Sequence, residues 1–118
     1  MNARVLALFA RIITAVGDYP GGQCYSASEA LYHALGGKRS GWVPQVIRWA
    51  PGAGPICKTY GQHCHTHWYL RHRTSGVILD PTVAQFARDP IYDNGRGCGF
   101  CTRRVSKRGR AILERAGL

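Results

Sequence analysis

Cys24, His67 and Asp80 are residue types that together can carry out nucleophilic chemistry on an acyl group. A thiol attacks a carbonyl carbon well only as its thiolate, and the positive end of a helix dipole together with a nearby imidazolium favours that form. The imidazole needs a third group to fix its tautomer and orientation if it is to take the thiol proton and hand it to a leaving group. Cys24 follows Gly21-Gly22, a pair that permits a tight turn and exposure of the sulfur. It also opens a stretch of helix-forming residues, whose first N–H groups have no intrahelical acceptor and are the expected oxyanion donors.

These side chains must be brought together by elements that the sequence pattern outlines. Val5, Leu6, Phe9, Ile12, Ile13 and Val16 recur at helical spacing and predict an amphipathic helix over residues 3–16, ended by Gly17. Asp18, Pro20, Gly21 and Gly22 are turn chemistry. Residues 25–35 then predict a second helix, with Cys24 at its start and Gly36-Gly37 at its end. Residues 42–49 suit a strand that Pro44 assigns to an edge or to its first residues. Residues 65–73 and 76–80 read as an antiparallel hairpin. A turn about Arg73-Thr74 would set His67 directly opposite Asp80 on one sheet face, with Cβ atoms roughly 4.5–5.5 Å apart. Residues 82–87 suit a helical turn, 88–99 a loop with little regular structure, and Ser106 the N-cap of a last helix over 107–116. The expected fold class is α+β, with a nucleophile-bearing helix among N-terminal helices packed on a small antiparallel sheet.

The 118 residues suit one domain, 1–118, with no internal repeat or linker. Arg4 and Arg11 interrupt the N-terminal apolar run and no small-residue cleavage site follows, so no signal peptide and no membrane span are expected. The expected location is cytoplasmic. Five cysteines cannot all pair within one molecule, which favours reactive thiols or a metal site over a disulfide framework. A net charge of +10 suits an acidic partner such as nucleic acid, or simply a solubilising surface.

Gly22-Gln23-Cys24-Tyr25, His67-Trp68-Tyr69-Leu70 and Leu79-Asp80-Pro81-Thr82 resemble, in order and in local sequence, the Cys, His, Asp series of transglutaminase-like proteins. The string from His67 through Asp80-Pro81-Thr82 to Gln85-Phe86 is also similar to small phage and bacterial proteins of this broad class, and the likeness covers most of the chain from residue 20 onward. The resemblance implies a papain-like (transglutaminase-like) fold and chemistry through a thioester or related acyl-enzyme. The substrate would be a protein, a peptide or a small amide, in the host cytoplasm if the chain is phage-encoded. It calls for no cofactor and no catalytic metal. Papain-type proteases place a glutamine several residues before the cysteine, where this chain has Gly17-Asp18-Tyr19; Gln23 stands next to Cys24 instead. This departure leaves a side-chain oxyanion donor unassigned; Gln23 is a candidate substrate-binding or oxyanion residue, and Trp68 and Tyr69 are the candidate cleft wall.

Other residues admit other chemistry. Cys57, Cys64, Cys98 and Cys101 match the ligand count of a structural zinc site, although six residues separate the first two. Cys98-Gly99-Phe100-Cys101 also has the spacing of a redox pair, without the surrounding βαβ pattern. His63, His65 and His67 would share one face of a single strand. Arg103, Arg104, Lys107, Arg108 and Arg110 form a basic cluster suited to phosphates or to solvent. The second reading of the whole chain is thus a basic binding module for nucleic acid or a host protein, without catalysis.

Overall fold

A computed structural model describes residues 1–18, 20–100 and 103–118. Helix α1 (Ala3–Val16) starts where the Asn2 side chain accepts the Val5 N–H at 2.9 Å, and it ends at Gly17. Its buried stripe is Val5, Leu8, Ile12 and Val16. Leu6 and Ile13, expected on that face, remain 52% and 45% exposed. The apolar arc of α1 is wider than the arc covered by its neighbours, α2 (Cys24–Ala34) and α3 (Lys107–Arg115). The core joins this stripe to Ala27, Ala30 and Leu31 of α2, Ile112 of α3, and Trp42, Leu70 and Leu79. Burying each large aliphatic side chain such as Ile12 or Leu31 contributes about 2 kcal/mol.

The main sheet has the order β5-β4-β1-β6, with β1 at Trp42–Arg48, β4 at Thr66–His72, β5 at Ile78–Leu79 and β6 at Arg96–Gly97. Every pairing is antiparallel, and the long β1–β4 ladder runs from Trp42↔His72 to Arg48↔Thr66. This register puts Trp42, Val46, Trp68, Leu70 and Leu79 on one face. Trp42, Leu70 and Leu79 pack there into the helical core. Gln45, Ile47, His67 and Tyr69 take the other face, where Phe86 and Tyr92 pack on His67 and Tyr69. Among the described residues the class is therefore α+β, three α-helices with a small antiparallel sheet.

Two local expectations, the hairpin register and the strand of His63, differ from what is observed. The β4–β5 register pairs Leu70 with Leu79 and Arg71 with Ile78, so Asp80 follows on opposite Tyr69 rather than His67. The turn is centred one residue later than Arg73-Thr74, because Gly76 takes the left-handed φ of 75° that closes it. An offset of two keeps the same face, so His67 and Asp80 meet diagonally. Pro44 is among the first residues of β1, as expected, although β1 is an interior strand. Its carbonyl accepts the Cys98 N–H at 3.0 Å, and the missing proline N–H falls where β6 has already ended. Residues 88–99 hold little regular structure, as expected: a single 3₁₀ turn, Tyr92–Asn94, and the two-residue edge strand β6. His63 lies not on the strand of His67 but on β3 (Gln62–His63), which pairs only with β2 (Ile56–Cys57) in a separate two-stranded sheet. Among the described residues no helix is long and apolar enough to cross a membrane.

Candidate active site

The turn that delivers Cys24 depends on two glycines. A side chain at Gly21 would meet the Cys57 sulfur at 2.7 Å and the Thr59 Cβ at 2.8 Å, and Gly22 has a φ of 76°. The turn closes with the Gln23 N–H on the Pro20 carbonyl at 3.1 Å, and α2 begins without a side-chain cap. Cys24 is half-buried at that start, near enough to His67 to influence the charge of its imidazole. The flank of β4 at His67 is open to this approach because β5 pairs only with Leu70 and Arg71.

His67 is fully buried, and its Nε2 lies 2.6 Å from Asp80 Oδ2. The same carboxylate oxygen accepts the Tyr92 hydroxyl at 2.8 Å, and Oδ1 accepts the Thr82 N–H at 3.2 Å, a local turn bond of the kind Asp makes beside proline. Asp80 is thus held at both oxygens. With Nε2 committed to Asp80, the ring nitrogen that remains is Nδ1. Nδ1 also lies 3.4 Å from the Gln85 amide nitrogen, which donates to Thr82 Oγ1 at 3.0 Å. The Tyr69 ring stacks at 21° on the imidazole, and the Phe86 ring meets it edge-on at 4.8 Å.

Burial alone would lower the His67 pKa, but the hydrogen bonds to Asp80 and Cys24 and the charges of both groups outweigh it and raise the value to about 9. The carboxylate at Nε2 thereby favours the protonated form of this buried imidazole. Burial, then the Asp80 charge and hydrogen bond, push Tyr92 far above the usual phenol range, so it stays a donor to Asp80. Tyr69, raised to about 12 chiefly by burial, donates to the Tyr92 carbonyl at 2.8 Å.

The sulfur of Cys24 opens into a cleft of about 360 Å³ between the start of α2, the β2–β3 hairpin, Trp68 and Gln85. The hairpin is strapped to the site at two points: the Tyr60 hydroxyl donates to the Gly21 carbonyl at 3.2 Å, and the Lys58 N–H to the Gln85 carbonyl at 2.8 Å. Trp68, packed edge-to-face on Tyr25 with centroids 4.9 Å apart, is the expected wall. Tyr69 is not; it is fully buried on the opposite sheet face, behind His67. Gln23 also differs from expectation. Its side-chain amide donates to the Val16 carbonyl at 3.3 Å, and it lines a separate groove with Ser26 and Arg108.

Tyr92 and Gln85 were not among the residues that the sequence singles out as site residues. Tyr92 sits in a stretch with loop composition and reaches Asp80 only through tertiary packing. Gln85 had one local signal, its place three residues after Thr82 in a predicted helical turn. Cys57 and Cys64 both line the cleft. Among the described residues no three His, Cys, Asp or Glu side chains are arranged to hold a metal ion, and Cys101, part of the zinc and redox readings, lies outside those residues. His63 and His65 are exposed at the cleft rim, unlike buried His67. Comparison of the chain with protein-family models, with curated proteins and with solved structures finds no match.

Proposed function

We propose that this chain is a cysteine-nucleophile hydrolase or acyltransferase, papain-like or transglutaminase-like in kind, acting on an amide or ester bond of a protein, peptide or small amide. The observation that carries the reading is the short His67–Asp80 contact with Cys24 near the same imidazole, lining a cleft. A nucleophile helix packed against an antiparallel sheet supports the papain-like architecture.

In the proposed reaction the Cys24 sulfur attacks the carbonyl carbon while its proton resides on His67. Backbone N–H groups at the start of α2 receive the oxyanion. His67 then protonates the departing amine or alcohol, leaving a thioester on Cys24. Water or an amine, deprotonated by His67, attacks that thioester and restores the thiol. Asp80 orients the imidazole and stabilises its positive charge throughout, and Tyr92 and Thr82 hold Asp80. Trp68 walls the cleft and limits water.

The test is mass spectrometry of acid-quenched protein after incubation with an activated aryl ester. Acyl adducts are expected on the Cys24 peptide of the wild type, more slowly on His67→Ala, and not at all in Cys24→Ala. Undiminished ester turnover in Cys24→Ala would sink the mechanism.

A second reading, a basic module that binds nucleic acid or a host protein without chemistry, draws on Arg103, Arg104, Lys107 and Arg108, all exposed on one short stretch of chain. Its marker is salt-sensitive binding to DNA or RNA that survives Cys24→Ala and weakens when Arg103 and Arg104 are neutralised.

A further inference from the structure

Cys24 shares its cleft with two other thiols, Cys57 and Cys64. Cys57 pairs directly with Gln62 across the β2–β3 hairpin, and Cys64 is two residues beyond Gln62, so Cys57 and Cys64 lie on one hairpin face. The two differ in freedom. Cys57 is 4% exposed, its sulfur lies against Gly21, and its backbone bridges to Phe86. Cys64 is half-buried and more open to the cleft, and the electrostatic influence of both other cysteines reaches it. Burial first, then Cys57 and Cys24, hold the Cys64 thiol above its ordinary pKa. It therefore stays protonated near neutrality and does not compete as the first target of an oxidant. The cluster is not arranged to hold a metal ion among the described residues.

We propose that Cys64 is a resolving cysteine that captures Cys24, once a hydroperoxide has oxidised it, as a reversible Cys24–Cys64 disulfide. This rests on Cys24 being the reactive thiol of the proposed function. In the first step the Cys24 thiolate attacks the terminal oxygen of the hydroperoxide. The S–O bond forms, the O–O bond breaks, and the alkoxide leaves as an alcohol, or as water from hydrogen peroxide, with the proton held by His67. Cys24 is oxidised by two electrons to the sulfenic acid and the peroxide is reduced. In the second step the Cys64 sulfur attacks the Cys24 sulfur; the S–S bond forms, the S–OH bond breaks, and hydroxide takes the Cys64 proton to leave as water. An external dithiol reverses the second state. The disulfide closes the mouth of the cleft and keeps Cys24 from irreversible oxidation to the sulfinic acid.

The experiment treats the reduced full-length protein with hydrogen peroxide, then maps disulfide-linked peptides by mass spectrometry, and measures iodoacetamide labelling of Cys24 before oxidation and after dithiothreitol. The wild type is expected to yield a Cys24–Cys64 linked peptide and to recover its Cys24 labelling fully. Cys64→Ser is expected to accumulate sulfinic acid on Cys24 and to lose that labelling irreversibly, while Cys57→Ser behaves as wild type. Rapid iodoacetamide labelling of Cys24 with Cys57–Cys64 or Cys24–Cys57 as the main product overturns this inference and leaves the proposed function standing. So does full recovery in Cys64→Ser. A Cys24 inert to both peroxide and iodoacetamide overturns both. The wild-type linkage decides the matter by itself if a variant fails to fold.

Discussion

At the start of α3 the Ser106 hydroxyl accepts the Gly109 N–H at 3.2 Å, and Glu29, fully buried on α2, accepts both the Ser106 N–H at 3.1 Å and its hydroxyl at 2.5 Å. At the start of α2 no side chain caps the helix, and the Gln23 amide is turned back to the Val16 carbonyl. Both termini present N–H groups and the positive end of a dipole. One is closed by a buried carboxylate and a hydroxyl and serves to fasten α3 to the core. The other carries a half-buried sulfur at a cleft. An uncapped helix start forgoes roughly 1 kcal/mol, and at α2 the structure spends that where a developing negative charge could be received. The difference separates residues whose loss should cost stability from residues whose loss should lower the reactivity of Cys24.

The largest effect expected on the α2 side is in His67→Ala, which should slow alkylation of Cys24 near neutral pH by about 10²-fold, the lower end of what a positioned acid–base group contributes. Labelling kinetics followed by peptide mass spectrometry check this. In Asp80→Asn the main support of the imidazolium is gone while burial remains, so His67 should titrate well below about 9, observable in its ring resonances by NMR. The wild type should show the matching pH dependence of stability. Folded His67 holds its proton to about pH 9 and the unfolded one only to about 6.5. Its contribution, on the order of 3 kcal/mol, is therefore complete below the unfolded value and fades as pH rises through the folded one. Urea unfolding at a series of pH values reads it, and Asp80→Asn should flatten the curve.

On the α3 side, Glu29→Ala should cost about 2 kcal/mol in urea unfolding, the order expected when a buried hydrogen-bond acceptor is removed, and should leave Cys24 alkylation within twofold of wild type. A fall in labelling with no loss of stability would erase the distinction between the two termini. Ser106→Ala should cost about 1 kcal/mol, again without effect on labelling.

Much of this division was legible in the sequence because it follows from local patterns. The helix starts at Cys24 and Ser106 and the glycine pair before Cys24 are readable from residue type and spacing. The common face of His67 and Asp80 is a matter of strand parity. The hairpin register was not readable, since Gly76 rather than Arg73-Thr74 sets the turn, and only parity protected the conclusion that the two side chains meet. The partners of Asp80 and His67 were hidden for another reason. Tyr92 and Gln85 arrive from segments whose composition predicts loop or a single helical turn, and their roles come from packing on the far face of the sheet. The buried role of Glu29 was equally invisible, because a glutamate in a helix ordinarily reads as a solvated residue. The cysteine count suggested Cys57 and Cys64 as zinc ligands; the hairpin carries both to the cleft of Cys24.

The central claim is that Cys24 is a nucleophile activated by His67. Iodoacetamide alkylation of all five cysteines across pH, in the wild type and in His67→Ala, tests it most directly. The account predicts that Cys24 alone labels rapidly near neutral pH and that this advantage disappears in the variant. Labelling of Cys24 no faster than that of the other cysteines, or equally fast with and without His67, would contradict it.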